Sequence, residues 1–174
     1  MSEELDIQFG TPRTPEKVDD WERDRRPKSL SELNANLAAT LCDLDKLAQT
    51  SLMRCALSAK SYIWAMDEAG KIVVAVEELA IEEPEGVYSG YPRRRGLRHP
   101  SEEKKLGHPT LLNEGSARIA GELAFDEVEN NVVTWVINAN SGRYCRQKPP
   151  EKQQLDNVAA RFRELGVSLI VDYE

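Results

Sequence analysis

The sequence predicts an α+β fold: a small antiparallel sheet of two hairpins plus a C-terminal strand, packed with a long N-terminal helix and a C-terminal helix. Three observations predict it. Leucines recur at three- and four-residue steps from Leu30 to Leu47, the stripe of an amphipathic helix. Two pairs of β-branched and aromatic runs are each separated by turn residues. A second helical stripe stops at Gly166 and an alternating apolar run follows it,. Strands gathered between two helices argue for α+β rather than parallel α/β.

Taken in order, residues 1–28 come first. Apolar residues are sparse there, charges of both signs crowd together, and Pro12, Pro15 and Pro27 interrupt. Such a stretch buries too little surface to offset its ordering entropy, so a disordered charged tail is expected, with an arm docking through Trp21 as the other reading. Residues 29–174 are expected to form a single domain. Ser29 and Glu32 read as a capping box ahead of Leu30, Leu33, Leu37, Leu41, Leu44 and Leu47, and the helix either runs to about Ala59 or breaks near Gln49-Thr50-Ser51. Ser61–Met66 and Lys71–Val76 flank Asp67-Glu68-Ala69-Gly70, a hairpin whose glycine supplies positive φ,.

From Glu82 to Gly107 no apolar period survives, and Pro84, Gly86, Gly90, Pro92, Gly96 and Pro100 punctuate a long basic loop carrying Arg93, Arg94, Arg95 and Arg98. Loops this long in compact domains are functional or disordered. Pro109–Leu112 reads as a short extended piece, and Ala117–Phe125 with Val132–Asn138 as a second hairpin turning at Asn130-Asn131,. Pro149-Pro150-Glu151 then opens a helix carried by Leu155, Val158, Ala159, Phe162 and Leu165, and Val167–Tyr173 closes as a strand,.

Composition narrows the function classes. The 174 residues suit one domain,. With Asp+Glu 30 against Lys+Arg 23 the formal charge is −7, which counts against nucleic acid and anionic membrane as partners. No apolar run approaches a membrane span, and Met-Ser-Glu-Glu-Leu-Asp has neither the basic start nor the apolar stretch of a secretory signal,, so a cytoplasmic location is expected. Cys42, Cys55 and Cys145 lack Cys-x-x-Cys spacing and read as free thiols. Walker, dinucleotide, His-Glu-x-x-His and Gly-x-Ser-x-Gly signatures are missing. Neither a metal nor a cofactor is expected.

What remains is an ordered set of short motifs: Gly107-His108-Pro109-Thr110-Leu111, then Gly115, then Ala120-Gly121-Glu122, then Asn138-Ala139-Asn140-Ser141-Gly142-Arg143-Tyr144. From about Tyr62 to Tyr173 this layout resembles a module found in bacterial polymorphic-toxin and effector-like proteins and in plant IQ-motif calmodulin-binding proteins. That module runs from an Asp-Gly hairpin to a His-Ser-Ser-Leu-like piece, then Ala-Gly-Glu, then Asn-x-Ser-Gly-His-Tyr, then a Pro-led helix. This chain departs from it in Pro109-Thr110, which replace the serine pair, in Arg143, which replaces the histidine, and in the long basic loop. The resemblance implies an effector- or toxin-like protein of bacterial conflict systems and antiviral defense, and supplies no mechanism.

Chemically, His108, Glu122 and Tyr144 form the candidate catalytic set: a carboxylate beside a neutral imidazole as base, with a phenol donating to developing charge,. Ser141, Gly142 and Arg143, together with Arg93, Arg94 and Arg95, form the candidate ligand-binding set, since a Ser-Gly turn presents backbone N–H groups and arginine grips anions bidentately. Each residue also has a plain structural reading: a hydrogen-bonded histidine, a solvent-facing glutamate, a turn anchored by its tyrosine. Two function classes therefore stay open. One is a group-transfer or hydrolytic enzyme on a small polar or nucleotide-like ligand. The other is a non-catalytic immunity or regulatory module that binds another protein.

Overall fold

A computed structural model describes residues 2–82, 88–93, 104–128 and 132–173. Its elements are α1 (Ser2–Phe9), β1 (Ser31–Glu32), α2 (Ala35–Leu47), α3 (Ser51–Ser58), β2 (Tyr62–Asp67), β3 (Ile72–Val76), β4 (Glu78–Glu82), β5 (Tyr88–Pro92), β6 (Ala117–Val128), β7 (Val132–Ile137), α4 (Lys152–Glu164) and β8 (Leu169–Val171). Among the described residues the strands form a six-stranded sheet of order β1-β3-β2-β6-β7-β8 and a two-stranded sheet of β4 and β5. The mixed α+β class holds. The all-antiparallel sheet does not: β8 pairs parallel to β7, because α4 carries the chain back to the starting end of β7 before β8 begins.

The long helix starts later than its leucines suggest and is two helices. The Ser29 hydroxyl donates to Glu78 Oε1 at 2.7 Å and accepts the Val76 N–H at 3.0 Å. A serine held this way cannot cap a helix, and Asn34 takes the role, its Oδ1 accepting from the Asn36 and Leu37 amides,. The break falls at Gln49-Thr50, with Thr50 heading α3.

All four helices contribute to one face of the large sheet. Trp64, Met66, Ile72, Val74, Ile119 and Phe125 meet Leu41, Leu57, Val158 and Phe162 there in the main core. Trp135 sits at its centre, with Phe125 edge-on at 5.2 Å and Tyr62 at 5.3 Å between ring centroids, while its indole N–H donates to Leu41 O at 3.1 Å. Each edge-to-face pair adds about 0.5–1.5 kcal/mol beyond the area it buries. The opposite face is thinner, with Ile63, Ala65, Ala75 and Ala120 covered by Leu111, Tyr144 and Cys145.

The basic stretch contains more structure than its composition suggests. Tyr88–Pro92 is β5, and Lys105 bridges to Leu79 of β4. Residues 83–87 and 94–103 lie outside the described residues, as does the Asn130-Asn131 turn. His108–Leu112 is a 3-10 turn rather than an extended piece, with the Thr110 hydroxyl donating to Gly107 O at 2.7 Å.

The largest correction concerns residues 1–28. Residues 2–28 are packed, not a disordered tail. Phe9 is 2 % exposed and belongs to the main core, and the buried Arg118 guanidinium reaches Asp6 Oδ1 at 2.5 Å and Gly10 O at 2.9 Å. Arg13 then exchanges backbone hydrogen bonds with Ala117 at 2.8 and 2.9 Å, and residues 14–30 continue as a strap over the thinner face. Polar contacts replace the apolar burial that the strap lacks.

Phe9→Ala is therefore expected to cost about 3 kcal/mol or more of unfolding free energy, read as a lower urea midpoint with an unchanged slope. A midpoint equal to that of the unmodified protein would return the segment to the status of a tail.

Candidate functional site

The motif residues meet around the middle of β6. Its pairing with β7 covers only Leu123–Val128, while β2 pairs it from Ala117 to Leu123, so on the β7 side the backbone polar groups before Leu123 need other partners. Asn138 supplies the first two: its amide donates to Glu122 O at 3.0 Å and its Oδ1 accepts the Glu122 N–H at 3.1 Å. Here the chain crosses so close to the strand that a Cβ on Gly121 would lie 1.9 Å from Asn138 O. Glycine is required at that point. Asn138 O in turn accepts from the buried Trp64 indole at 3.2 Å.

His108 is buried with its Nε2 2.9 Å from Gly121 O. A carbonyl only accepts, so Nε2 carries the hydrogen and Nδ1 is the bare nitrogen. Burial, assisted by Lys105 and Arg143, pushes the ring down to about 4 against the pull of the Gly121 hydrogen bond and Glu77. It is neutral at pH 7 and a poor proton acceptor. The Tyr144 hydroxyl donates to Gly115 O at 2.7 Å, and burial, with Glu22 adding to it, raises the phenol well above its ordinary value. The Cys145 thiol donates to Ala120 O at 3.3 Å and is raised by burial, which keeps it from the thiolate form,.

Ser141, Gly142, Arg143 and Tyr144 form a single helical turn. Ser141 O accepts the Cys145 N–H at 2.9 Å and Ser141 Oγ accepts the Tyr144 N–H at 3.3 Å. Glu122 is half-buried on the same side of β6 as Ala120, and with Ala139, Ser141, Gly142, Arg146 and Pro149 it walls an open groove of about 470 Å³. Neither His108 nor Tyr144 lines that groove. Ala139, Asn140 and Pro149 also wall a smaller cavity of about 110 Å³ on the α4 side, beside Leu155 and Tyr173.

The arginines of the predicted binding set serve the fold where they are described. Arg143 turns away from the groove and donates to Lys17 O at 2.7 Å and Asp19 Oδ2 at 2.6 Å. Burial alone would raise Asp19, but Lys17 and Arg143 outweigh it and hold the carboxyl below its usual range. Arg93 pairs with the buried Glu77 at 2.6 Å, and Lys105 takes its other oxygen at 2.7 Å. Together they outweigh burial and hold Glu77 low as well. Arg94 and Arg95 lie outside the described residues.

Sequence reasoning missed Glu22, Glu77, Glu78 and Arg118, all buried, because nothing local distinguishes them from surface charges. It also passed over Arg146, whose only signal was its place two residues after the Ser-Gly-Arg-Tyr turn begins to close. Among the described residues no three His, Cys, Asp or Glu side chains come together as a metal site, and no helix is long and apolar enough to cross a membrane. Comparison with protein-family models, curated proteins and solved structures finds no match to this chain.

The depressed imidazole makes stability pH-dependent. Its folded value, about 4, lies below the ordinary 6.5, so the contribution is complete above pH 6.5 and is lost as pH falls from there toward 4, at up to about 1.4 kcal/mol per unit. Glu77 and Asp19, both held low, add a further loss below the ordinary carboxylate range. Urea midpoints at pH 7.5, 6 and 5 are expected to fall in the unmodified protein, while His108→Gln starts lower and is nearly flat between 6.5 and 5. Parallel slopes in the two proteins would contradict the assignment.

Proposed function

We propose that the chain is a non-catalytic interaction module, an immunity or regulatory partner that docks another protein through the groove at Glu122 and Arg146. One observation carries this reading. The imidazole, phenol and thiol of the motif region are each engaged by a main-chain carbonyl, on Gly121, Gly115 and Ala120 respectively. An acid-base set tied up in this way has no proton to exchange with a substrate unless the sheet edge opens. The groove itself is open and of mixed charge, walled by the half-buried Glu122, the exposed Gly142 and the exposed Arg146. Opposite charges on one rim suit oriented, salt-sensitive docking.

The resemblance to effector-like modules supports a second reading, a group-transfer or hydrolytic enzyme on a small polar or nucleotide-like ligand. In it Glu122 alone acts as acid or base, since it is the motif acid that reaches the groove beside Ser141 and Gly142. The two readings call for different losses.

Glu122→Gln and Arg146→Glu change groove side chains that are not part of the core, so both should melt within a few degrees of the unmodified protein. On the interaction reading, Arg146→Glu slows association with a partner captured from native cells by roughly tenfold or more and removes its salt dependence, and Glu122→Gln has a smaller effect. Turnover of nucleotides or other small polar ligands that Glu122→Gln abolishes would transfer the argument to the enzyme. Retention of the partner by both variants would end the groove's role.

A further inference from the structure

Glu22 lies in the strap between the exposed Asp20 and Arg23, yet its own side chain is fully buried in the body of the domain. Its Oε1 accepts the Gly107 N–H at 3.0 Å. Its Oε2 accepts the Asp19 N–H at 2.8 Å and lies 3.3 Å from Arg143 Nη2. A Cβ on Gly107 would stand 2.7 Å from Oε1, so the carboxylate occupies space that only a glycine leaves open. Asp19 already pairs with Arg143 at 2.6 Å, and charge neutralisation alone calls for no second carboxylate. A backbone N–H, a guanidinium and a missing Cβ converging on one oxyanion make a binding arrangement rather than a simple ion pair.

The strap that delivers Glu22 is held by polar contacts. Lys17 pairs with Asp19, the Glu16 amide donates to Arg143 O at 2.8 Å, Gln147 N–H donates to Glu16 Oε1 at 3.1 Å, and the Trp21 indole donates to Lys105 O at 3.2 Å. Segments fixed by surface-accessible polar contacts, with few buried apolar side chains, open locally at lower free energy than the core. When the strap lifts, the Gly107 N–H and the Arg143 guanidinium lose their partner together, and an anion that replaces it is favoured by the cost of leaving both unmet.

We propose that Gly107 and Arg143 form an anion cradle, filled in cis by Glu22 of the N-terminal strap, for which a compact oxyanion, a phosphate or carboxylate group, competes. The cradle uses residues other than those of the Glu122 groove and regulates access to the thinner face of the sheet. Binding there releases the strap, and the strap excludes the ligand.

Glu22→Ala empties the cradle and leaves Asp19 on Arg143. At constant ionic strength, potassium phosphate or potassium acetate should raise the melting temperature of E22A by several degrees over potassium chloride, and saturably. The double variant E22A/R143A should gain no more than the unmodified protein does, which separates site binding from the general stabilisation that phosphate confers. A larger gain with phosphate than with acetate identifies a phosphate group as the ligand, and the reverse a carboxylate. In the unmodified protein phosphate should speed trypsin cleavage after Lys17 and Arg23. Equal gains in E22A and E22A/R143A overturn the cradle, and rescue of E22A without faster cleavage of the unmodified strap overturns the competition. If E22A does not fold in chloride, refolding in phosphate reads the same property, and failure in both salts overturns the proposal.

Discussion

Much of this structure depends on one constraint: β7 is shorter than β6. A central strand that outruns its neighbour leaves backbone groups that must find partners inside the protein or cost about 1–3 kcal/mol each. Past Leu123 the partners are side chains and irregular chain. Asn138 serves Glu122, Cys145 serves Ala120, and Arg13 serves Ala117 as a surrogate strand. Tyr144 reaches Gly115 O just before the strand starts, and His108, from the 3-10 turn, adds a donor to Gly121 O at the position paired with Trp64 of β2. The Asn138 and Cys145 positions are thus set by where the open side of β6 needs donors.

A second feature of the fold is its buried charge. Glu22, Glu77, Glu78 and Arg118 are all buried, and each has partners: Gly107 and Arg143 for Glu22, Arg93 and Lys105 for Glu77, the Lys28 and Ser29 amides for Glu78, Asp6 and the Gly10 carbonyl for Arg118. Buried pairs are weak evidence for net stability, since desolvation offsets most of their attraction, but removing one member leaves an uncompensated charge at a cost of about 3–5 kcal/mol. Those of Glu22, Glu78 and Arg118 tie the N-terminal segment to the body of the domain.

The parts of the fold legible from sequence are those set by local chemistry. Apolar runs on either side of a glycine-bearing turn marked the two strands flanking Asp67–Gly70, and the stripe from Leu155 to Leu165 ending at Gly166 marked α4. What failed depended on distant partners. Ser29 looked like a helix cap until Glu78, 49 residues away, took its hydroxyl. The N-terminal segment looked unable to fold because its composition shows its charges but not the opposite charges waiting at Arg118 and Arg143. The direction of β8 depended on where α4 delivers the chain. Within the candidate site, the clustering of the Ala-Gly-Glu and Ser-Gly-Arg-Tyr residues was legible from their order, but the direction of each side chain was not. His108, Tyr144 and Arg143 point at main-chain carbonyls and strap carboxylates rather than into a common pocket, because buried polar groups take up the donors within reach before any ligand does.

The protonation of His108 tests that reading most directly. Nitrogen-15 NMR of the imidazole, assigned with a His99→Gln variant, reports both which ring nitrogen carries the hydrogen and the pH at which the ring charges. A ring committed to Gly121 O gives the signature of the neutral Nε2–H form, unchanged from pH 8 to about 5.5, where an ordinary histidine would already be mostly charged. A ring that titrates near its ordinary 6.5, or that carries its hydrogen on Nδ1, would contradict the structural role of the motif and return His108 to the list of candidate bases.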